Sequence, residues 1–412
     1  MQIQAQKVAF AGGKSYMYRV YLKDKKGGSY SLRHPEKFLS AKALARRERQ
    51  GLAVDSTDLP VSSKYIGTLR HDGYQVVGGS RWNNTVLIAS PKGDIAPQLE
   101  GLNFVTRVVR VFESPDSVSP VKPYGVVKDT TKASESVYGK ALPQIAQLNG
   151  VKLHEAGFRG KGMTIAIIDG GYMNYTRIPA LRGVRVLGCR DFVYPYRDKM
   201  EDLLSHGTMV LSCMAAVDSF RYVGTAPEAS YYLLRSEYGP TESLMEEDTW
   251  AMAAEYADSV GVDVINSSLG YAEFDDATTS HKYVDLDGRR TLISNIDAGP
   301  EGRGAGVQRG QLGPRPLEEG DASGRRHRRA HGGGCRQPRP EHGIQLYRSV
   351  AGRSREARHH GTGRHGTHLQ RSRRQRWRQR HLVCLAHSLR HGGMPLAGAA
   401  RQDRQGNNHS GA

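Results

Sequence analysis

Two residues of the sequence have side chains suited to proton transfer and stand where a protein could use them for catalysis. Asp169 directly follows the apolar run 163–168 and precedes two glycines, and His206 precedes a run of small and apolar residues typical of a buried helix. A carboxylate beside an imidazole fixes the tautomer of the ring and stabilises its protonated form, which makes the histidine a general base. Taken singly, each residue is more often structural than catalytic, the aspartate as a turn cap and the histidine as a helix start.

Strand and helix patterns alternate from about residue 139, and this alternation predicts how the two residues are positioned. Residues 163–168, 230–234 and 262–266 are short, mostly apolar runs typical of buried parallel strands. Before the last of them, acidic residues at 246–248 precede apolar residues at helical spacing, which predicts a helix. The pattern indicates a doubly wound parallel sheet of the α/β class. Asp169 then lies at its carboxyl edge, where open sheets bind ligands.

Residues 1–111 predict a smaller α+β domain. Residues 16–22 alternate at period two, and residues 35–50 carry apolar positions at helical spacing after a proline. Further strand-like runs lie at 73–77, 84–88 and 104–109. Residues 112–138 combine three prolines with many Ser, Thr and Lys, a composition that favours an extended linker.

Four segments in one order resemble the subtilisin-like serine proteases, the subtilases of peptidase family S8. Asp169 in Ile-Ala-Ile-Ile-Asp-Gly-Gly and His206 in His-Gly-Thr match the aspartate and histidine motifs of that family. Gly224-Thr-Ala-Pro227 and Ile265-Asn-Ser-Ser-Leu-Gly270 match its internal landmarks. The resemblance covers about residues 139–296, and the shared order makes it specific where any single motif would be weak.

The resemblance implies a serine endopeptidase that hydrolyses peptide bonds of a polypeptide substrate with an Asp-His-Ser triad. It makes Asp169 the residue that orients the base His206. It also makes Ser268, Leu269 and Gly270 the strand edge that pairs with an extended substrate. Residues 1–111 resemble, more weakly, the pro-domains that assist folding and block the cleft, so the chain's own pro-domain is an expected partner. The family is commonly exported, which implies an extracellular or cell-envelope location. It also suggests calcium; otherwise no cofactor is expected.

The tail, residues 297–412, differs from the rest of the chain in composition. It holds 23 Arg, no Lys and 8 acidic residues, so it carries +15 of the formal charge of +18. With no Phe, one Ile and one Tyr it has too little apolar material for a core, and it is predicted to be disordered. The family pattern requires an Ala-Gly-Asn segment for the oxyanion and a Gly-Thr-Ser segment with the nucleophile, and the tail contains neither. Residues 139–296 are therefore expected to form an incomplete sheet, and this polypeptide to be inactive.

Codon arithmetic indicates that the tail is an out-of-frame translation. The shifted frame joins the last two letters of each possible codon to the first letter of the next codon. In that frame residues 307–313 can encode Phe-Ser-Ala-Gly-Asn-Ser-Gly, with the Asn at the Gln311 codon. The same shift lets residues 379–386 encode Asn-Gly-Thr-Ser-Phe-Ala-Ser-Pro, with the serine at the Leu382 codon, and residues 353–359 encode Gly-Arg-Val-Lys-Pro-Asp-Ile. Three family-like segments share one frame and the family's order. The shift is predicted to begin between Ser294 and Glu301.

Two other classes of function remain open from the residues. The arginines of 371–380 would bind phosphates of nucleic acid through charge, with Trp377 available to stack on a base, although only non-specific binding is expected. A non-catalytic protein that still binds peptides is the third interpretation. No run of about 20 apolar residues is present, so no membrane partner is expected. The N-terminus shows no signal peptide, and the four cysteines lack metal-ligand spacing.

Overall fold

The structure of the protein, a computed structural model, describes residues 14–115, 132–195, 204–282, 285, 290–293 and 306–309. In these ranges the chain forms an antiparallel sheet near its N-terminus and a parallel sheet after residue 160. None of the helices found there has the length and apolar character needed to cross a membrane.

The N-terminal unit is a four-stranded antiparallel sheet with three helices, two of which pack on one face of the sheet. Its strands are β1 (Tyr16–Leu22), β2 (Gln75–Ser80), β3 (Thr85–Ser90) and β4 (Val105–Glu113), in the order β2-β3-β1-β4. Its helices are α1 (Ala41–Gln50), α2 (Ser63–His71) and α3 (Ala96–Glu100). Leu69 of α2 and Leu99 of α3 pack with Tyr18, Val20 and Ile88 on one face of the sheet. Alternation along the strands therefore leaves the opposite face free for another partner.

The continuous helix predicted over residues 35–50 is divided in the structure. Residues Pro35–Lys37 form a 3₁₀ turn, and α1 begins only after Ser40. The Ser40 hydroxyl accepts a hydrogen bond from the Ala43 amide, which satisfies one of the free N–H groups of the first turn. The proline therefore starts a turn of its own, and the serine caps the helix.

The second unit is a five-stranded sheet in which every pair is parallel. Its strands are β5 (Thr164–Asp169), β6 (Arg185–Asp191), β9 (Ser230–Arg235), β10 (Val264–Ser267) and β11 (Gly306–Arg309), in the order β11-β10-β5-β9-β6. The central strand β5 is buried at all six positions. The edge strand β6 is mostly exposed, so it lacked the apolar pattern by which the other strands were predicted.

Helices cover both faces of the parallel sheet. The helices are α4 (Leu142–Gln147), α5 (Gly150–Glu155), α6 (His206–Ala215) and α7 (Met245–Ser259), and a short hairpin joins β7 (Val217–Asp218) to β8 (Tyr222–Val223). Ile165 and Ile167 of β5 pack with α6, whereas Ala166 and Ile168 pack with α7. The chain is thus an α/β protein with a doubly wound parallel sheet, preceded by a small α+β domain.

The free face of the N-terminal sheet lies on α7. Met17, Leu87 and Phe112 share a core with Trp250 and Ala254 of that helix. Polar contacts accompany this core, because Arg19 donates to both carboxylate oxygens of Asp248 at 2.8 Å and to the carbonyl of Leu244. The two units therefore bury a common surface.

Most of the tail, and with it most of the segment predicted to be disordered, lies outside the described residues. Four of its residues, 306–309, are described, and they form β11. This strand pairs in parallel register with β10, Gly306 opposite Val264 and Arg309 opposite Ser267. The predicted linker is described only at residues 112–115 and 132–138.

Candidate active site

Asp169 ends the central strand β5 at the carboxyl edge of the sheet. It stands opposite Arg235, the last residue of β9, while Ile168 stands opposite Ser267, the last residue of β10. Its side chain is fully buried, and the amide of Gly170 donates to Oδ1 at 2.7 Å. A buried carboxylate at this edge requires a charged or hydrogen-bonding partner.

His206 supplies that partner as the first residue of α6. Its Nδ1 lies 2.9 Å from both carboxylate oxygens of Asp169, and its side chain is 23% exposed. The next residue must be small, because a Cβ at Gly207 would lie 2.6 Å from the Gly171 carbonyl oxygen and 2.7 Å from a ring carbon of Tyr172. The glycine thus lets α6 begin against the end of β5. The structure brings the two predicted residues together.

The environment of His206 favours the charged form of its ring. Burial acts to lower its pKa, but the charge and hydrogen bond of Asp169 outweigh burial and raise the pKa above the ordinary 6.5. Glu237, when ionised, adds a further negative charge that also raises the pKa of His206. The imidazolium that forms when a histidine accepts a proton is therefore stabilised here.

This raised pKa predicts a pH dependence of stability. A histidine whose pKa is higher in the folded than in the unfolded protein stabilises the fold fully below the unfolded value, and the contribution is lost as the pH rises through the folded value. The loss of unfolding free energy caused by His206→Gln is expected to be larger at about pH 5.5 than at about pH 9, as measured by urea unfolding. The control is His71→Gln, whose side chain is 90% exposed. An equal loss at both pH values in His206→Gln would contradict the shift.

The predicted substrate segment lies at the same edge as the pair. Ser268 directly follows β10 and is 3% exposed, and its hydroxyl has no hydrogen-bond partner among the described residues. Leu269 and Gly270 are half-buried. The segment thus borders the edge that holds Asp169 and His206, where an extended peptide could reach both.

Two residues at this edge were missed by sequence reasoning. Glu237 follows β9, and Tyr271 follows the predicted substrate segment. The Tyr271 hydroxyl donates to Glu237 Oε1 at 2.6 Å. The position of Glu237 just past a predicted strand, on the edge that already held Asp169, was the signal that could have found it.

Among the described residues, one group of acidic side chains is close enough together to be considered as a site for the calcium that the family resemblance suggests. Oxygens of Glu237, Glu242 and Glu246 lie within 4.8 Å of one another. Calcium takes about six to eight oxygen ligands. Glu246 is already bonded to the amides of Tyr238 and Ser243, so the group falls short of a calcium site.

The pair and the unit in front of it both lie in regions that match known families. Residues 160–299 match the family model described as the subtilase family, and residues 17–123 match the peptidase S8 propeptide domain of Bacteroidota. Residues 160–299 therefore form a subtilase-family domain. Asp169 and His206 both lie inside the matched subtilase region, and β1 to β4 lie inside the propeptide region apart from Tyr16.

Curated relatives of this chain include a protein of Bacillus and a protein of Mycobacterium. Subtilisin E of Bacillus subtilis is 31% identical over 136 residues, 32% of this chain and 34% of the relative. Mycosin-4 of Mycobacterium tuberculosis is 29% identical over 172 residues, 37% of this chain and 36% of the relative. The chain therefore spans about a third of the length of the curated relatives that it matches.

Among solved structures, this chain is similar to the epidermin leader peptide processing serine protease of Staphylococcus aureus. The sequence identity is 15%, the alignment covers 62% of this chain and 49% of that one, and the TM-score is 0.37. The positions of the predicted out-of-frame motifs, at Gln311 and Leu382, lie outside the described residues.

Proposed function

We propose that this chain descends from a subtilisin-like serine endopeptidase and retains the proton-transfer half of its triad. The observation that carries the proposal is the contact of His206 Nδ1 with both carboxylate oxygens of buried Asp169. With Nδ1–H donated to Asp169, Nε2 is the nitrogen that can accept the proton of a serine hydroxyl. The carboxylate then holds the ring in this tautomer and stabilises the imidazolium.

The segment Ser268–Gly270 is the proposed binding edge for the polypeptide substrate. It continues β10, so its backbone can pair with an extended peptide as an added strand. Its position beside β5 would bring the scissile carbonyl close to His206. Main-chain pairing of this kind gives affinity without fixing the sequence of the substrate, so specificity would come from side chains around the edge.

The N-terminal unit is proposed to act as the pro-domain of this enzyme. Its docking on α7 supports the role, because the buried Arg19–Asp248 pair and the shared apolar core hold the unit in place. A pro-domain of this kind would assist folding of the parallel sheet and block access to the edge. The family resemblance also favours a location outside the cytoplasm, in the cell envelope or the medium.

This polypeptide is proposed to lack the peptidase activity that depends on a complete triad. Residues 297–412 carry neither Ala-Gly-Asn nor Gly-Thr-Ser, so the chain lacks the nucleophile and the oxyanion donor that the pair would serve. The out-of-frame tail is the proposed cause. The arginine-rich stretch 371–380 lies outside the described residues, and a role in nucleic-acid binding gains no further support.

The test is a reaction of the purified chain with a fluorescent serine-directed phosphonate and with a generic fluorogenic peptide. Neither labelling nor phosphonate-sensitive cleavage is expected, whereas subtilisin E, as the control, should show both. Labelling of this chain that disappears in His206→Ala would contradict the proposal, since it would reveal a nucleophile that the sequence does not predict.

A further inference from the structure

Glu237 lies near the pair, two residues past the end of β9. The amide of Ser236 donates to the carbonyl of Asp169 at 3.0 Å, which fixes the chain just before Glu237 against the end of β5. A Cβ built on Gly170 would lie 3.5 Å from Cβ and 3.7 Å from Cγ of Glu237. The same point is 3.1 Å from Leu204, two residues before His206. Glu237 therefore crosses the turn that follows Asp169 and approaches the loop that leads into His206.

Tyr271 holds Glu237 in this place. Its hydroxyl donates to Oε1 at 2.6 Å, and the tyrosine is 4% exposed, so its ring has little freedom to move. Because Tyr271 directly follows the segment Ser268–Gly270, the bond joins Glu237 to the proposed substrate edge. A half-buried glutamate with one fixed oxygen has few other conformations open to it.

The groups that face Glu237 come from four elements. They are Asp169 of β5, His206 of α6, Glu242 just before α7 with Glu246 in its first turn, and Tyr271 after β10. Of these, His206 is the basic one. The oxygens of Glu237, Glu242 and Glu246 lie within 4.8 Å of one another, so ionisation of Glu237 is opposed by the negative charge of its neighbours. Burial and the charge of Glu242 raise the pKa of Glu237 to about 8, while Tyr271 and His206 act to lower it.

We propose that Glu237 is a positioning residue of this site, a second carboxyl group that Tyr271 holds in place to stabilise the protonated form of His206. This inference rests on the proposed function in that it takes His206 as the base. While His206 is neutral, Glu237 keeps its proton because of the neighbouring carboxylates. When His206 gains a proton, its positive charge favours the ionised form of Glu237, which releases its proton to solvent. The two groups then titrate as a pair.

The test is an NMR titration of the full chain labelled at the Cε1 carbon of histidine. The His206 signal is identified by its loss in His206→Gln. The unmodified chain is expected to show a His206 titration broader than that of a single site, because two coupled groups exchange protons. In Glu237→Gln the titration should narrow to one step and its midpoint should shift to lower pH. Glu237→Asp, which keeps the charge, should retain the broad curve.

The matched control is Glu228→Gln at the opposite end of β9, where the side chain pairs with Arg159 near the surface. A His206 midpoint that is the same in Glu237→Gln and Glu228→Gln would overturn the proposal. If Glu237→Gln does not fold by circular dichroism, Tyr271→Phe supplies the measurement, since it removes the anchor and leaves the carboxyl group. An unchanged titration in Tyr271→Phe would then overturn it. Because no step of this test uses peptidase activity, its failure is distinguishable from failure of the proposed function.

Discussion

Deletion of one base between the codons of Ser294 and Glu301 is expected to convert an inactive polypeptide into a peptidase that a serine-directed phosphonate blocks. The deletion would replace the arginine-rich tail with the frame that encodes Ala-Gly-Asn at the Gln311 codon and Gly-Thr-Ser at the Leu382 codon. The oxyanion donor and the nucleophile would then join Asp169 and His206, which already lie 2.9 Å apart. Activity is measured with a fluorogenic peptide before and after the deletion.

The size of the effect follows from the way in which triad members act as a unit. In the frame-restored protein His206→Ala is expected to lower kcat by roughly 10⁶-fold, the loss known for the corresponding residue of subtilisin. The matched control is His71→Ala, an exposed histidine on α2, which should leave kcat unchanged. A restored frame without phosphonate-sensitive activity would count against the out-of-frame origin of the tail. Activity that survives His206→Ala would count against the role of the pair.

Most of the parallel sheet could be predicted from the sequence because its strands are buried on both faces. Strands β5, β9 and β10 appear as short apolar runs, since neither face of them meets water. Strand β6 escaped prediction because an edge strand with exposed residues has no such run. The pattern of apolar residues depends on burial, so it predicts only the strands that are buried completely or on regularly alternating residues.

Some residues of the candidate site could likewise be predicted from the sequence, and others could not. Asp169 and His206 could be predicted because each stands at a junction that the sequence marks, a strand end before glycines and a helix start before a glycine. Glu237 and Tyr271 are 34 residues apart, and their hydrogen bond depends on how β9 and β10 flank β5. Pairings of this kind depend on strand order, and a single sequence with no repeats does not encode strand order locally.

The contact between the two units shows this limit most clearly. Asp258, near the end of α7, accepts hydrogen bonds from Arg46, Arg47 and Arg81, all of them in the N-terminal unit. The Asp258 side chain is fully buried, and the arginine side chains are 3% to 9% exposed. Nothing in the sequence near Asp258 distinguishes it from a solvated aspartate at a helix end, because its partners lie some 180 to 210 residues away.

Two further carboxyl groups complete the balance of charge in this network. Asp58 accepts from both terminal nitrogens of Arg47, at 2.9 and 3.0 Å. Glu255 accepts from the amides of Arg81 and Trp82. Three guanidinium groups therefore meet three carboxyl groups at the contact. Each charge is compensated, which is the condition under which buried ions are tolerated.

Asp258→Ala is accordingly expected to lower the free energy of unfolding by about 3–5 kcal/mol, because it leaves buried arginines without their common acceptor. The measurement is urea unfolding followed by far-UV circular dichroism. The control, Asp218→Ala, removes the partner of Arg221 from a pair whose side chains are 29% and 41% exposed. That variant should lose no more than about 1 kcal/mol, because water already screens the pair. Equal losses in the two variants would mean that Asp258 is solvated in the folded chain, and its ion pairs would then hold the N-terminal unit on α7 no more strongly than an exposed pair does.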